Sequence, residues 1–262
     1  NIWTKINGTI NKNPLRPLET NLDRFSFMDR DIYNRYKFFR DYYREMAPFM
    51  SWRGCPYNCT YCFNKSFIEL YETTPKKYLR GRSVPNVMAE MEQLKERYKV
   101  TKLDILDDTF MLDKRWFHEF CQAYKEKIGL PFVCNTYAQL VDEPSIKALK
   151  EAGCVHVKMG LEAGNEELRQ KILNKKVSNG QFIKAGKIIE SNGITLQTYN
   201  MVGIPGENIN TALETFTLNR KMGTDFASCS ILQPYPGTDI GRYAIEHKLI
   251  EGMDEKGDSK DQ

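Results

Sequence analysis

Three cysteines whose spacing suits metal chemistry lie in one short stretch, SWRGCPYNCTYCFN, at residues 51–64. They are Cys55, Cys59 and Cys62, in a chain with seven cysteines in all. Structural zinc usually takes four ligands in two separated pairs, and no second pair accompanies this group. A C-x-x-C dithiol redox site is the other alternative, but the third cysteine argues against it. Three thiolates on one loop suit an iron-sulfur cube in which one iron has no protein ligand.

The other four cysteines are scattered along the chain, at Cys121, Cys134, Cys154 and Cys229. The odd total of seven in the chain and the uneven spacing do not indicate a disulfide framework. We predict that they are small apolar residues of buried helices and strands.

Composition places the chain among globular proteins of one moderate domain. It has 262 residues, of which 41% are hydrophobic and 27% charged, with a net charge of +4. Basic and acidic residues are too evenly balanced to favour a nucleic-acid partner. The sequence contains neither a secretory leader nor an apolar run of the roughly 20 residues that a membrane helix needs. We therefore predict a cytoplasmic protein without a membrane span.

The elements that must position these cysteines follow one repeated pattern: an amphipathic stretch, a glycine, and a short apolar run ending in polar residues. Glycines at the ends of the helical stretches take left-handed caps at low cost. The pattern gives six strands alternating with helices, which predicts the α/β class, a partial (β/α)6 TIM-like barrel with an open parallel sheet. Parallel sheets bind ligands at the carboxyl ends of their strands, where this chain carries Asp107, Asp108, Asn135, Tyr137, Glu162, Asn200 and Gln233.

The motif CPYNCTYC resembles the C-x3-C-x2-C loop of the radical S-adenosylmethionine (SAM) superfamily, and the similarity extends over most of residues 47–243. The resemblance implies a 4Fe-4S cluster on Cys55, Cys59 and Cys62. It also implies that the open iron binds the amino and carboxylate groups of SAM. Tyr61, the aromatic residue before the last cysteine, would then pack near the adenine.

Further motifs carry the resemblance along the chain. DILDDTFMLD stands where many members have a Gly-Gly-Glu motif for the SAM amino group, which makes Asp107 and Asp108 candidate contacts; alternatively they cap the following helix. GLEAG resembles the motif whose acidic residue binds the ribose hydroxyls, here Glu162, and a lysine partner is the other interpretation. YNMVGIPGEN adds Asn200 as a candidate cofactor contact. Lys175, in the polar run NKK, is expected to be solvated rather than to reach the SAM carboxylate.

The resemblance implies an enzyme that reductively cleaves SAM to a 5'-deoxyadenosyl radical, and it favours a cobalamin-dependent methyltransferase. An oxidative cyclase or another oxidoreductase is the alternative, and an iron-sulfur electron-transfer or binding module is the alternative from another class. The implied partners are a small-molecule substrate and a low-potential electron donor such as flavodoxin or ferredoxin. No catalytic acid, base or hydrogen-atom donor is assigned.

The two ends of the chain differ from the middle. Residues 1–46 are rich in turns and aromatic side chains, and we interpret them as a linker from an upstream cobalamin-binding domain. Residues 47–248 form the predicted radical SAM core, and residues 249–262 a charged tail.

Overall fold

The computed structural model describes residues 2–250, which contain ten strands and eleven α-helices. The strands are β1 Trp3–Ile6, β2 Thr9–Lys12, β3 Ala47–Phe49, β4 Trp52–Arg53, β5 Arg80–Gly81, β6 Leu103–Ile105, β7 Phe132–Thr136, β8 Cys154–Glu162, β9 Thr195–Val202 and β10 Phe226–Ile231. The helices are α1 Asp31–Asn34, α2 Lys37–Glu45, α3 Phe63–Leu70, α4 Pro75–Tyr78, α5 Val84–Glu96, α6 Lys114–Lys127, α7 Glu143–Ala152, α8 Glu166–Lys171, α9 Asn179–Ser191, α10 Ile209–Met222 and α11 Asp239–Glu246.

Six strands form one parallel sheet in the order β10-β9-β8-β7-β6-β3, so neighbours along the chain are neighbours in the sheet. Helices connect successive strands, as parallel pairing requires. The sheet ends at β3 and β10 and does not close. The predicted α/β class and the open six-stranded TIM-like barrel are confirmed.

Glycine and polar caps set the ends of the helices. Gly153 ends α7 with φ of 105°, and Gly223 ends α10 with φ of 73°, a region that side-chain-bearing residues disfavour. The side chain of Asp113 accepts a hydrogen bond from the Trp116 amide and starts α6. Asp113 therefore caps α6, the helix that follows β6. Asp107 and Asp108 do not cap it.

The main core lies between the sheet and the helices. α5 and α6 contribute a dense group of apolar side chains with exposures of 2% or less, among them Val87, Met91, Phe117, Phe120 and Tyr124. Burying each such side chain contributes about 1.5–3 kcal/mol. This layer holds the strands in place, and the opposite face of the sheet is left open.

The segment before the sheet is more structured than an irregular linker. It opens with the β1–β2 hairpin, whose eight strand residues are all exposed, and continues through α1 and α2. The buried ion pair of Arg30 with Glu90, with an N–O distance of 3.1 Å, ties it to α5. Its role as a linker stays a prediction, and residues 251–262 of the expected tail lie outside the described residues.

The cysteines outside the triple group divide into two kinds. Cys121, Cys134 and Cys154 are buried, and the sulfur atoms of Cys134 and Cys154 are 4.0 Å apart. The prediction of burial is wrong for Cys229, which lies on β10, a strand whose six residues are all exposed because neither of its faces is covered within residues 2–250.

Within residues 2–250, no helix combines the length and the apolar character that crossing a membrane requires.

Close packing of α9 on α10 depends on Gly186. A Cβ atom there would lie 2.3 Å from the carbonyl oxygen of Met222, which is backbone and cannot move aside. We expect Gly186→Ala to lower the free energy of unfolding by about 1–3 kcal/mol, measured by urea denaturation.

The matched control is Gly180→Ala in the same helix, where the nearest atom would be 3.8 Å away. That variant should be unchanged or stabilised by up to about 1 kcal/mol. Equal losses in the two variants would contradict the packing explanation.

Candidate active site

The triple-cysteine loop runs from the end of β4 to the start of α3. Gly54 begins it with φ of 91°, and a Cβ atom there would meet the Tyr78 ring at 2.8 Å. Cys59 is buried, whereas Cys55 and Cys62 are half-buried. All three are free thiols. The loop therefore presents three free thiols in a stretch that forms neither a helix nor a strand.

Hydrogen bonds from the segment that follows α8 hold the loop. The Thr60 amide donates to the Leu173 carbonyl at 3.1 Å, and its hydroxyl donates to the Ile172 carbonyl at 2.7 Å. The Asn174 side chain donates to the Asn58 carbonyl at 2.7 Å. The segment after α8 thus fixes the conformation of the loop, although it follows more than 100 residues later.

The electrostatics of the loop suit a bound cation. Burial raises the pKa of Cys55 to about 11 and also raises the pKa of Cys59, although the Lys175 charge lowers the latter. Thiolates are the form that binds metal, and a bound metal supplies the missing charge and displaces the protons. The donor set therefore fits an iron-sulfur cluster.

The same three sulfurs do not converge on a single ion. Across the described residues, no group of three or more His, Cys, Asp or Glu side chains is placed to hold one metal ion. A cube of iron and sulfide instead has a separate iron at each ligated corner, so its cysteines must stand apart. The described residues thus contain no ready-made site for a single metal ion.

Glu162 ends β8 in a strained conformation, with φ of 70°. The strand bulges between Gly160 and Glu162, which turns the side chain back along the strand. A Cβ atom on Gly160 would lie 2.2 Å from a Glu162 carboxylate oxygen. Strain of this kind at a non-glycine residue costs about 1–3 kcal/mol and clusters at functional sites.

Lys175 is the partner of Glu162. Its ammonium nitrogen is 3.1 Å from the carboxylate, and the two residues are 5% and 8% exposed. The expectation that Lys175 is solvated is wrong, because Arg169, fully buried, donates to the Val177 carbonyl and draws the segment inward. The lysine alternative for Glu162 is confirmed as a contact, and the Tyr61 hydroxyl is a second hydrogen-bond partner of the carboxylate.

Aromatic rings surround this ion pair. The ammonium of Lys175 lies 4.9 Å from the centre of the Tyr137 ring, which stacks on Tyr57 at 3.7 Å. Tyr61 is next to both Glu162 and Cys59; burial first and the Glu162 charge second raise its pKa well above the usual range. The structure thus brings Tyr61, Glu162 and the cysteine loop together at one edge of the sheet.

The two aspartates after β6 face different surroundings. Asp107 is fully buried and accepts hydrogen bonds from the Ser51 amide at 2.6 Å, the Trp52 amide at 3.0 Å and the Ser51 hydroxyl. Burial nevertheless raises the pKa of its carboxyl to about 6. Its carboxylate fixes the start of the cysteine loop, and both of its oxygens accept hydrogen bonds from Ser51 or Trp52.

Asp108 is exposed beside the cysteine loop. It accepts a hydrogen bond at 3.2 Å from Asn64, whose amide nitrogen also lies 3.6 Å from the Cys62 sulfur. On the other side of the loop, the Thr109 hydroxyl is 3.7 Å from the Cys55 sulfur. Asp108 is therefore the aspartate of this pair that faces the loop.

The structure places Asn200 directly beside Glu162 in the β8–β9 register, but its side chain binds groups other than those of the site. The residue is 3% exposed and lies on the helix side of β9, where Asn219 of α10 donates to it at 3.0 Å. Its own amide donates to the Thr198 hydroxyl and the Ser228 carbonyl. Alternate residues of a strand face opposite sides, so a position near the end of β9 did not determine which side Asn200 takes.

Sequence reasoning missed several residues of the site. Tyr57 and Asn64 flank the outer cysteines, and Thr109 follows the paired aspartates, so proximity to the motifs was an available signal. Lys175 had no such signal, because only the fold places it against Glu162.

The face of the sheet opposite the helices carries a second polar group. Lys158 of β8 binds both carboxylate oxygens of Asp104 on β6, at 2.7 and 2.8 Å, across the intervening β7. The Gln197 amide donates to the Ser228 hydroxyl at 2.9 Å, and Tyr199 is 41% exposed. This face provides polar and aromatic contacts below the cysteine loop.

Comparisons with known proteins agree with this arrangement. The model of the radical SAM superfamily matches residues 50–218. An uncharacterized methyltransferase of Pyrococcus horikoshii is 29% identical over 253 residues, covering 95% of this chain and 52% of that protein. The anaerobic magnesium-protoporphyrin IX monomethyl ester cyclase of Rubrivivax gelatinosus is 28% identical over 191 residues, covering 72% of this chain and 33% of that protein.

A solved structure shares the fold. It is the radical SAM methyltransferase TsrM from Kitasatospora setae with cobalamin and a 4Fe-4S cluster bound, at a TM-score of 0.68 and 18% identity. The match covers 81% of this chain and 42% of that one. The chain thus spans about half or less of the length of each of these relatives. Because the family model matches well over half of its residues, the chain belongs to the radical SAM superfamily.

Proposed function

We propose that this chain is the catalytic core of an enzyme that reductively cleaves SAM. The observation that carries the proposal is the junction of three free thiols with Tyr61 and the buried Glu162 at the carboxyl edge of a parallel sheet. When bound, a 4Fe-4S cluster supplies the electron that breaks SAM into methionine and a 5'-deoxyadenosyl radical. The protein's contribution is to bind, orient and shield the reactants.

Each residue of the site has a proposed role. Cys55, Cys59 and Cys62 hold the cluster. Tyr61 packs against the adenine, and Glu162 accepts hydrogen bonds from the ribose hydroxyls. Further along the site, Asp108 faces the amino group of SAM, while Asp107 positions the loop through Ser51 and Trp52. Lys175 orients Glu162, and Asn200 supports β9 from its helix side.

The finer proposal is a cobalamin-dependent methyltransferase. The relative from Pyrococcus horikoshii is named a methyltransferase, and the structure from Kitasatospora setae contains cobalamin. Residues 1–46 would then link an upstream cobalamin-binding domain to this core. The cyclase of Rubrivivax gelatinosus supports oxidative cyclisation as the second candidate.

An electron-transfer module is the candidate from another class. Such a protein needs the cluster but has no use for a strained acidic residue beside it. Glu162 adopts a positive φ and is buried with Lys175, at a cost that ligand binding explains and electron storage does not. We therefore favour an enzyme that binds SAM.

The proposed partners follow from this chemistry. A small-molecule substrate would contact the polar face around Asp104 and Lys158, and a low-potential donor such as flavodoxin or ferredoxin would reduce the cluster. The seven cysteines are all free thiols, as expected in a reducing compartment. We propose a cytoplasmic location on this ground.

The first prediction concerns the cluster. Replacing Cys55, Cys59 and Cys62 together by alanine should abolish bound iron, sulfide and the brown absorbance after anaerobic reconstitution, because it removes the three proposed ligands. Iron and sulfide analysis with visible spectroscopy measures this. Cys121→Ala is the control and should keep the full cluster, since Cys121 is buried in α6. Full iron and sulfide in the triple variant would sink the assignment.

The second prediction concerns SAM. Reduction with dithionite should release 5'-deoxyadenosine, and Glu162→Ala should weaken SAM binding by about 1–3 kcal/mol, roughly 5- to 150-fold in Kd, through lost ribose hydrogen bonds. Calorimetric titration of the reconstituted protein measures the affinity. Glu167→Ala, at an exposed position of α8, is the control. A reduced, cluster-containing protein that binds no SAM would favour the electron-transfer module.

The third prediction concerns Lys175, whose loss leaves the Glu162 carboxylate buried without its ion-pair partner. We expect Lys175→Met to lower the free energy of unfolding by about 3–5 kcal/mol in urea denaturation. Lys171→Met is the control: its ion pair with Glu167 is 72% and 70% exposed, so the change should stay below about 1 kcal/mol. Similar losses in both variants would show that the buried pair does not hold the site.

A further inference from the structure

A groove beside the cysteine loop is lined by arginines. It consists of two adjoining cavities of about 440 and 330 Å³ between the segment 18–30 and the short strands β4 and β5. Arg53, Leu22 and Phe25 line both cavities. Each cavity is within the range of about 300–1,000 Å³ typical of small-molecule sites. We call this feature the arginine groove.

Two like charges face each other in it. Arg53 and Arg80 are directly opposite in the antiparallel β4–β5 pair, an arrangement that destabilises a sheet unless something neutralises it. Arg80 donates to the carbonyl oxygens of Tyr78 and Glu19 but to no carboxylate in the described part of the chain. Arg53 is exposed and has no ion pair within residues 2–250. The pair carries uncompensated positive charge.

The acidic side chains along the arginine groove are already bound. The Glu19 carboxylate pairs with Arg24 at 2.7 Å. Glu90 pairs with both Arg30 and Arg82, at 3.1 and 2.6 Å. Neither is available to Arg53 or Arg80. Burial lowers the pKa of Arg80, and the positive charge of Arg53 lowers it further. This agrees with the lack of an acidic partner for Arg80 within residues 2–250.

The arginine groove adjoins the proposed active site. Arg53 is separated from Cys55 only by Gly54, and Tyr78 lies against Gly54 while lining the larger cavity. Phe67 and Tyr71, which follow the cysteine loop, line the same cavity. A ligand whose charged end is held here would have apolar side chains beside it. The cysteine loop begins at Gly54, directly after Arg53.

We propose that Arg53 and Arg80 bind an anionic group, a carboxylate or a phosphate, of a small-molecule substrate. The planar guanidinium of arginine donates two parallel hydrogen bonds to either group. The apolar wall formed by Leu18, Leu22, Phe25 and Phe67 suits a substrate whose body is apolar or aromatic. The assignment rests on the proposed function only in naming the ligand as the substrate.

Calorimetric titration of inorganic phosphate and, separately, of succinate into the 262-residue chain at low ionic strength tests the proposal. The wild-type chain should bind at least one of the two anions saturably, and the one that saturates identifies the group. Arg53→Gln and Arg80→Gln should each weaken that binding by about tenfold or more, because a charge-assisted hydrogen bond is lost.

The matched control is Arg220→Gln, an exposed arginine of α10 away from the arginine groove, which should bind as the wild type does. Equal weakening by the control, or no saturable binding of either anion, would overturn the proposal. Binding of an oligonucleotide without binding of either small anion would overturn the small-molecule assignment.

Titrations with and without the reconstituted cluster separate this result from the proposed function. The anion should bind in both forms, whereas SAM cleavage needs the cluster. Anion binding that survives when no cluster assembles would leave the arginine groove standing while the proposed function fails.

Discussion

Parallel pairing of six strands is the constraint on which every contact of the site depends. Because all six run in the same direction, the residues that follow each strand meet at one edge of the sheet. The cysteine loop, Asp108 after β6 and Glu162 at the end of β8 are far apart in sequence and share that edge. If the strands were not parallel, these residues would lie at different edges of the sheet, even with the same local motifs.

The site contains residues in locally unfavourable conformations and environments. Glu162 takes a left-handed conformation, Gly160 leaves room for its carboxylate, and Lys175 enters the interior to pair with it. Proteins keep such arrangements where function requires a fixed polar group and the surrounding structure holds it. Here the buried Arg169 and the hydrogen bonds from the segment 172–174 to the cysteine loop keep the site in place.

The sequence predicted the features that local patterns determine. Glycines after amphipathic stretches identified the ends of α7 and α10, and the alternation of elements gave the six-stranded parallel sheet. It could not predict the side of the sheet that Asn200 takes, since a shift of one residue reverses it. Neither could it predict the burial of Lys175 or the exposure of Cys229, because both depend on residues far along the chain. The hairpin β1–β2 was missed although Asn7-Gly8, a favoured two-residue hairpin turn with positive φ at both positions, marks it in the sequence.

The edge of the sheet at β10 has a consequence for handling the protein. Its six residues are exposed, contain no proline and pair only with β9 within residues 2–250. A bare strand edge offers a row of peptide groups to any other chain, which makes it a template for intermolecular β-pairing. The opposite edge is shorter and has a proline, Pro48, in its middle. Concentrated solutions of the isolated chain are therefore expected to aggregate through one flank of the sheet, with the exposed thiol of Cys229 able to lock the contact in air.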